Sequence, residues 1–163
     1  MNNRQSNGHG KEDILPQERP MMMRGLRGAT TVENNDTDEI LEATRELLTM
    51  LVRVNNIEID DIASIVLTTT DDLGATYPAF AARQLGWFDV ALLCSNEMDV
   101  PDGLPKCIRV LIHWNTTKAP KDLGHVYLRK AKSLRPDRDN IPPIRPVQMN
   151  NMEAAMKVLA HNR

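Results

Sequence analysis

The stretch that most constrains this chain is Cys94 to Arg109, C-S-N-E-M-D-V-P-D-G-L-P-K-C-I-R. One apolar run, Val90 to Cys94, enters it and a second, Val110 to Ile112, leaves it. Between them Pro101, Gly103 and Pro105 break both helix and strand ladder. The spacing predicts strand, turn-rich loop, strand, with Glu97 where one strand ends and Arg109 inside the next. A charge within a strand this apolar is costly to bury unless something pairs with it. Arg109 therefore calls for an anion, either an internal carboxylate such as Glu97 or Asp99, or a ligand.

The 163 residues carry a formal charge of −2, which fits one domain with tails and provides no global basic field for nucleic acid. Any anion site must be built locally. Aromatics are sparse and no apolar run approaches the roughly 18 residues of a membrane span, so neither a base-stacking platform nor a membrane segment is expected. The first residues lack an apolar core and include Glu12, Asp13 and Glu18, unlike a secretory or transit signal, so a cytoplasmic location is expected. Cys94 and Cys107 are then expected as free thiols.

Residues 1–20 are polar and punctuated by Gly and Pro, and read as a disordered arm. Met21 to Thr31 reads as a strand in which Arg24 and Arg27, three apart, point to opposite faces. Gly25 and Gly28 within it suggest a bend, or the close approach of another backbone or a ligand. Asp36 with Glu39 resembles a capping box, and Ile40, Leu41, Thr44, Leu47, Leu48, Leu51 and Val52 then keep helical spacing to Asn55-Asn56. The β-branched run Ala63 to Thr70 predicts a second strand. Tyr77-Pro78 opens a second helix, carrying Arg83 and closed by Gly86. The third strand, V-A-L-L-C, is apolar at every position and is expected to be covered on both faces.

The fourth strand, Cys107 to Trp114, alternates cleanly. Ile108, Val110, Ile112 and Trp114 form the core face, while Cys107, Arg109, Leu111 and His113 form the other. One helical turn begins at Pro120, and a last strand around Val126 to Leu128 is followed by Arg135-Pro136. The fold class is α+β, a mixed β-sheet with two main helices, spanning residues 21–137. Beyond lies residues 138–163, a Pro-rich linker and then Met152, Ala155, Met156 and Leu159 on one face of an amphipathic helix.

No dinucleotide fingerprint, phosphate-binding loop, nucleophile elbow or paired-cysteine metal motif occurs. Cys94, Cys107, His113 and His125 match no common zinc spacing, so no metal is expected. Arginines in or against apolar segments stand out: Arg27, Arg83, Arg109 and Arg135. A planar guanidinium fork suits bidentate grip on carboxylate or phosphate, which points to a small polyanion.

The segments M-R-G-L-R-G-A-T-T-V-E, Y-P-A-F-A-A-R-Q-L-G-W, L-C-S-N-E-M-D-V, L-P-K-C-I-R-V and H-V-Y-L-R-K-A-K-S-L-R-P-D closely resemble the monofunctional bacterial chorismate mutases of the trimeric, barrel-like class. The resemblance implies a homotrimeric pseudo α/β-barrel with clefts between subunits. It also implies rearrangement of the small-molecule substrate chorismate to prephenate, in phenylalanine and tyrosine biosynthesis, without a cofactor. On that resemblance Arg109 matches the arginine beside the ether oxygen, Glu97 the carboxylate that accepts from the substrate hydroxyl, and Cys94 a thiol close to it. Arg27 and Tyr127 match groups that hold substrate carboxylates. Tyr77, Arg83 and Arg135 match residues supplied by the neighbouring subunit. Phe80 stands where relatives can have lysine, and Leu93 where threonine can occur. A non-catalytic trimeric binder of a small dicarboxylate, or an enamine or imine deaminase-like trimer, is the alternative. The tail beyond 137 lies outside the family pattern and is expected to be disordered, to dock on the trimer, or to serve a partner protein.

Overall fold

A computed structural model describes residues 19–136. The arm before residue 19 and everything from 137 onward, including the expected amphipathic helix, lie outside the described residues. Five strands form one sheet: β1 (Met22–Thr31), β2 (Ile62–Thr69), β3 (Ala91–Asn96), β4 (Cys107–Thr116) and β5 (Val126–Tyr127). Their spatial order is β3-β2-β4-β1-β5. β4 runs antiparallel to both β1 and β2, while the outer pairs β2·β3 and β1·β5 are parallel. Helices α1 (Thr37–Asn55) and α2 (Ala79–Gln84) join them, with 3-10 turns at Ile59–Asp61, Pro120–Asp122, where the sequence placed one, and Arg129–Leu134.

Strand alternation sorts the sheet into two unlike faces. Leu26, Ile65, Leu67, Val110, Ile112 and Trp114 point one way and pack against Leu47, Leu48 and Leu51 of α1 and Ala82 of α2. Each fully buried leucine of this kind is worth about 1.5–3 kcal/mol relative to exposure, which is why the i, i+3, i+4 stripe forms a helix here rather than in isolation. Asp36 caps α1 by accepting from the amides of Asp38 and Glu39 at 3.0 and 3.1 Å. Glu39 does not close a capping box. Its carboxylate instead accepts from the Glu33 and Asn34 amides and the Asn34 side chain, tying down the β1–α1 turn. The C-terminus closes on Asn56 in the left-handed region, φ 54°.

Buried Asn55, beside that cap, clamps a distant loop. Its amide donates to Leu51 O and Gly124 O at 2.9 Å, and its oxygen accepts from Gly124 N at 2.8 Å. Gly28 explains itself in the same packing layer. A Cβ there would stand 2.8 Å from Leu51 Cδ1 and 3.0 Å from Leu47 Cδ1, so α1 is what crowds it.

One expectation is corrected on the opposite face. β3 is not covered on both sides: it is an edge strand with Leu93 62% exposed. Arg109 has the internal carboxylate it called for, Glu97, and because both helices pack on the far side of the sheet its side chain stays 45% exposed.

Candidate active site

The bare face carries its polar groups in a row because of register. Thr68 lies beside Arg109, Arg109 beside Ala29, and Ala29 beside Tyr127, across β2, β4, β1 and β5. One row along stand Val66, Leu111 and Arg27. Arg27, Thr68, Arg109, Tyr127 and Arg135 line a common cavity of about 490 Å³. Three arginines thus line one concave surface.

Glu97 is the counter-charge. Its Oε2 lies 3.0 Å from Arg109 Nη1, its Oε1 accepts from Thr68 Oγ1 at 2.5 Å, and its amide donates to Thr69 O at 3.0 Å. The carboxylate side chain is only 13% exposed against 45% for Arg109. So Glu97 is the fixed partner, and Arg109 is held by one edge with donor capacity left over. A pair this open contributes at most about 1 kcal/mol to stability; its consequence is the aim of the guanidinium. Cys107, two residues before Arg109 on the same face, is buried. Burial pushes its thiol pKa up, while a hydrogen bond with Arg109 and the guanidinium charge pull the other way.

The wall bearing Tyr127 and Arg135 is bound to the body from β1 and α1. Leu128 N donates to Ala29 O at 2.9 Å. Arg129 donates to Thr31 O at 3.1 Å and pairs with Glu46 at 2.9 Å. Lys130 N donates to Thr31 Oγ1 at 3.3 Å. Arg129 holds a left-handed φ of 51°, which turns the chain from β5 into the 3-10 segment leading to Arg135.

A second group forms around α2. Tyr77, Phe80 and Cys94 line a separate cavity of about 440 Å³. The Arg83 guanidinium lies 5.5 Å from the Phe80 ring centroid, and Phe80 meets Tyr77 edge-on at 6.3 Å. Burial raises the Cys94 thiol pKa, against a backbone hydrogen bond with Ala79 and the charge of Arg83. Cys94 therefore does not stand beside Glu97 and Arg109 within one chain. It pairs laterally with core residue Leu67, and an odd separation of three from Glu97 turns it to the helix-covered face. Within the single chain, Arg135 lines the Arg109 cavity and not the one around Tyr77. Thr68 and Cys107 were not foreseen at the site. The run Thr68-Thr69-Thr70 at the end of β2, level with Arg109, was the available signal for the first.

A mixed sheet with helices on one face, and on the other a cavity lined by three arginines of which Arg109 is held by a carboxylate, has the make-up of a site for a small anionic molecule. The family model Chorismate mutase type I matches residues 23–138. The chorismate mutase AroH of Thermus thermophilus is 46% identical over 120 residues, covering 73% of this chain and 98% of the relative. That of Bacillus subtilis (strain 168) is 46% identical over 118 residues, 72% and 93% of the two chains. The solved chorismate mutase from Clostridium thermocellum superposes with a TM-score of 0.67 at 53% identity, covering 68% of this chain and 98% of that one. The chain belongs to the type I chorismate mutase family, the monofunctional AroH class.

Proposed function

We infer that this chorismate mutase converts chorismate to prephenate in the Arg109 cleft, an isomerase step of aromatic amino acid biosynthesis. The reaction breaks a C–O bond and forms a C–C bond within one molecule, so it consumes no nucleophile or co-reactant. Negative charge gathers on the departing ether oxygen as positive charge spreads over the ring. Preorganised charge at those points lowers the barrier because it need not reorganise as the reaction proceeds. Arg109, oriented by Glu97 with donors to spare, is assigned to the ether oxygen. Glu97 accepts from the substrate hydroxyl, while Arg27 and Tyr127 hold carboxylates and so select the folded conformer. Arg135 borders the opening.

The cleft is proposed to be completed by a neighbouring copy in a homotrimer, which brings Tyr77, Arg83 and Cys94 against it. Supporting this, Leu93, Met98 and Val100 are 62%, 86% and 55% exposed beside the bare face. Large apolar side chains this exposed within eight residues of chain are the kind of surface that interaction sites use. A cytoplasmic location accompanies the proposal; among the described residues no helix is long and apolar enough to cross a membrane.

The observation that carries the reading is the Thr68–Glu97–Arg109 chain of contacts opening onto a cavity with two further arginines. The test is loss of chorismate absorbance with appearance of prephenate, using purified protein without added metal. Turnover no faster than the uncatalysed rearrangement would refute it.

A further inference from the structure

We propose that His125 is a positioning residue for the reaction, acting through the main chain of Arg27. The proposal rests on the chorismate mutase reading above. It starts from a gap in the β1–β5 ladder. Those strands pair in parallel, Gly28 with Val126 and Ala29 with Tyr127, and Leu128 N donates to Ala29 O. Carried one step back in that register, the ladder would send the Arg27 amide to the Gly124 carbonyl. That carbonyl is already engaged by the Asn55 side chain at 2.9 Å, and Gly124 N is engaged by the same residue at 2.8 Å. The Arg27 amide donates instead to the His125 ring, Nδ1 at 3.0 Å.

The consequence is local to the cleft. Arg27 and Tyr127 both line the cavity, and His125 sits two residues before Tyr127 while gripping the backbone of Arg27. One ring therefore links the two strands at the level where both present substrate-binding side chains. The bond requires an unprotonated Nδ1, so the ring carries its proton on Nε2 when neutral. Asparagine can place Oδ1 near the position of Nδ1, whereas alanine leaves the amide to water.

The test is a double-mutant cycle on the full chain. His125→Ala is expected to lower kcat/KM about tenfold, mostly through KM, and His125→Asn to recover most of that loss. In an Arg27→Ala background, which keeps the amide but removes the guanidinium, His125→Ala should add little. Equal losses in both backgrounds, or no loss in either, would overturn the proposal. Amide exchange at Arg27, read by NMR without substrate, provides a second measurement on the Asn variant if the alanine variant does not fold. Protection retained in the wild type and His125→Asn but lost in His125→Gln, whose longer side chain misplaces the acceptor, supports the role. Equal exchange in all three overturns it. If the wild type shows no turnover, the activity assignment fails, and the exchange measurement still decides whether His125 holds Arg27.

Discussion

Arg109 stands exposed within β4, held by a carboxylate rather than by burial. Glu97 fixes one edge of its guanidinium, and Thr68 fixes Glu97, so the remaining donors are aimed before substrate arrives. Charge that strengthens its contact only as the ether oxygen becomes negative acts on turnover more than on binding. Arg109→Ala is therefore expected to lower kcat about a hundredfold to a thousandfold, with a much smaller rise in KM. An isosteric neutral side chain should be nearly as poor, and normal steady-state turnover by that variant would remove Arg109 from the chemistry. Arg109's need for an anion was legible because β4 alternates so regularly. Its exposure was not, because alternation assigns a side chain to a face without saying what covers that face. Cys94 is the reverse case: its odd separation of three from Glu97 already set the two on opposite faces by alternation, a signal present in the sequence.

At the scale of elements, α1 and β1 determine where Arg27 and Arg109 stand, and their contact is tightest at Gly28. A methyl group there meets the ends of two fully buried leucine side chains and stands 3.2 Å from the Val126 carbonyl, so both side chains must shift to admit it. Gly28→Ala is expected to destabilise the fold by about 1–3 kcal/mol in urea unfolding, the usual range for overpacking. Gly25→Ala meets only Leu111 at an ordinary 3.4 Å and should be close to neutral. The helix start carries a pH signature. Asn34 side-chain and amide hydrogen bonds, the largest causes, lower the Glu39 pKa from its ordinary value of 4.5. A carboxyl depressed in the folded state stabilises above its unfolded pKa and loses that contribution as pH falls through the folded value. Thermal melts should thus show Glu39→Gln less stable than wild type near neutral pH, with the two converging under strongly acid conditions. A constant gap across pH would assign the effect to something other than ionisation. The extent of α1 was legible from its leucine spacing and Asp36. The use of Asn55 was not, since its partner Gly124 lies 69 residues away and nothing local marks the clamp.

For the whole molecule, the apolar run V-A-L-L-C at β3 was legible as buried, yet the strand lies at an exposed edge of the sheet. Burial by a second copy and burial by the chain's own helices leave the same pattern in sequence, which is why periodicity could not distinguish them. The proposed assembly does distinguish them, and it makes a quantitative prediction. Arg27, Arg109, Tyr127 and Arg135 line one cavity, and Tyr77 and Cys94 line another beside Arg83. If each working cleft joins the first group of one copy to the second group of its neighbour, Arg109→Ala and Arg83→Ala damage different halves. Neither variant alone should approach wild-type turnover. Unfolded together in equal amounts and refolded, they assemble at random, and a cleft is intact when an Arg83→Ala copy supplies Arg109 and an Arg109→Ala copy supplies Arg83. About a quarter of the clefts meet both conditions, so the mixture should recover about a quarter of wild-type turnover per cleft. Activity no higher than the mean of the two separately refolded parents would mean that each cleft draws Arg83 and Arg109 from the same chain, and the intersubunit assignment would fall while the chemistry at Arg109 stood.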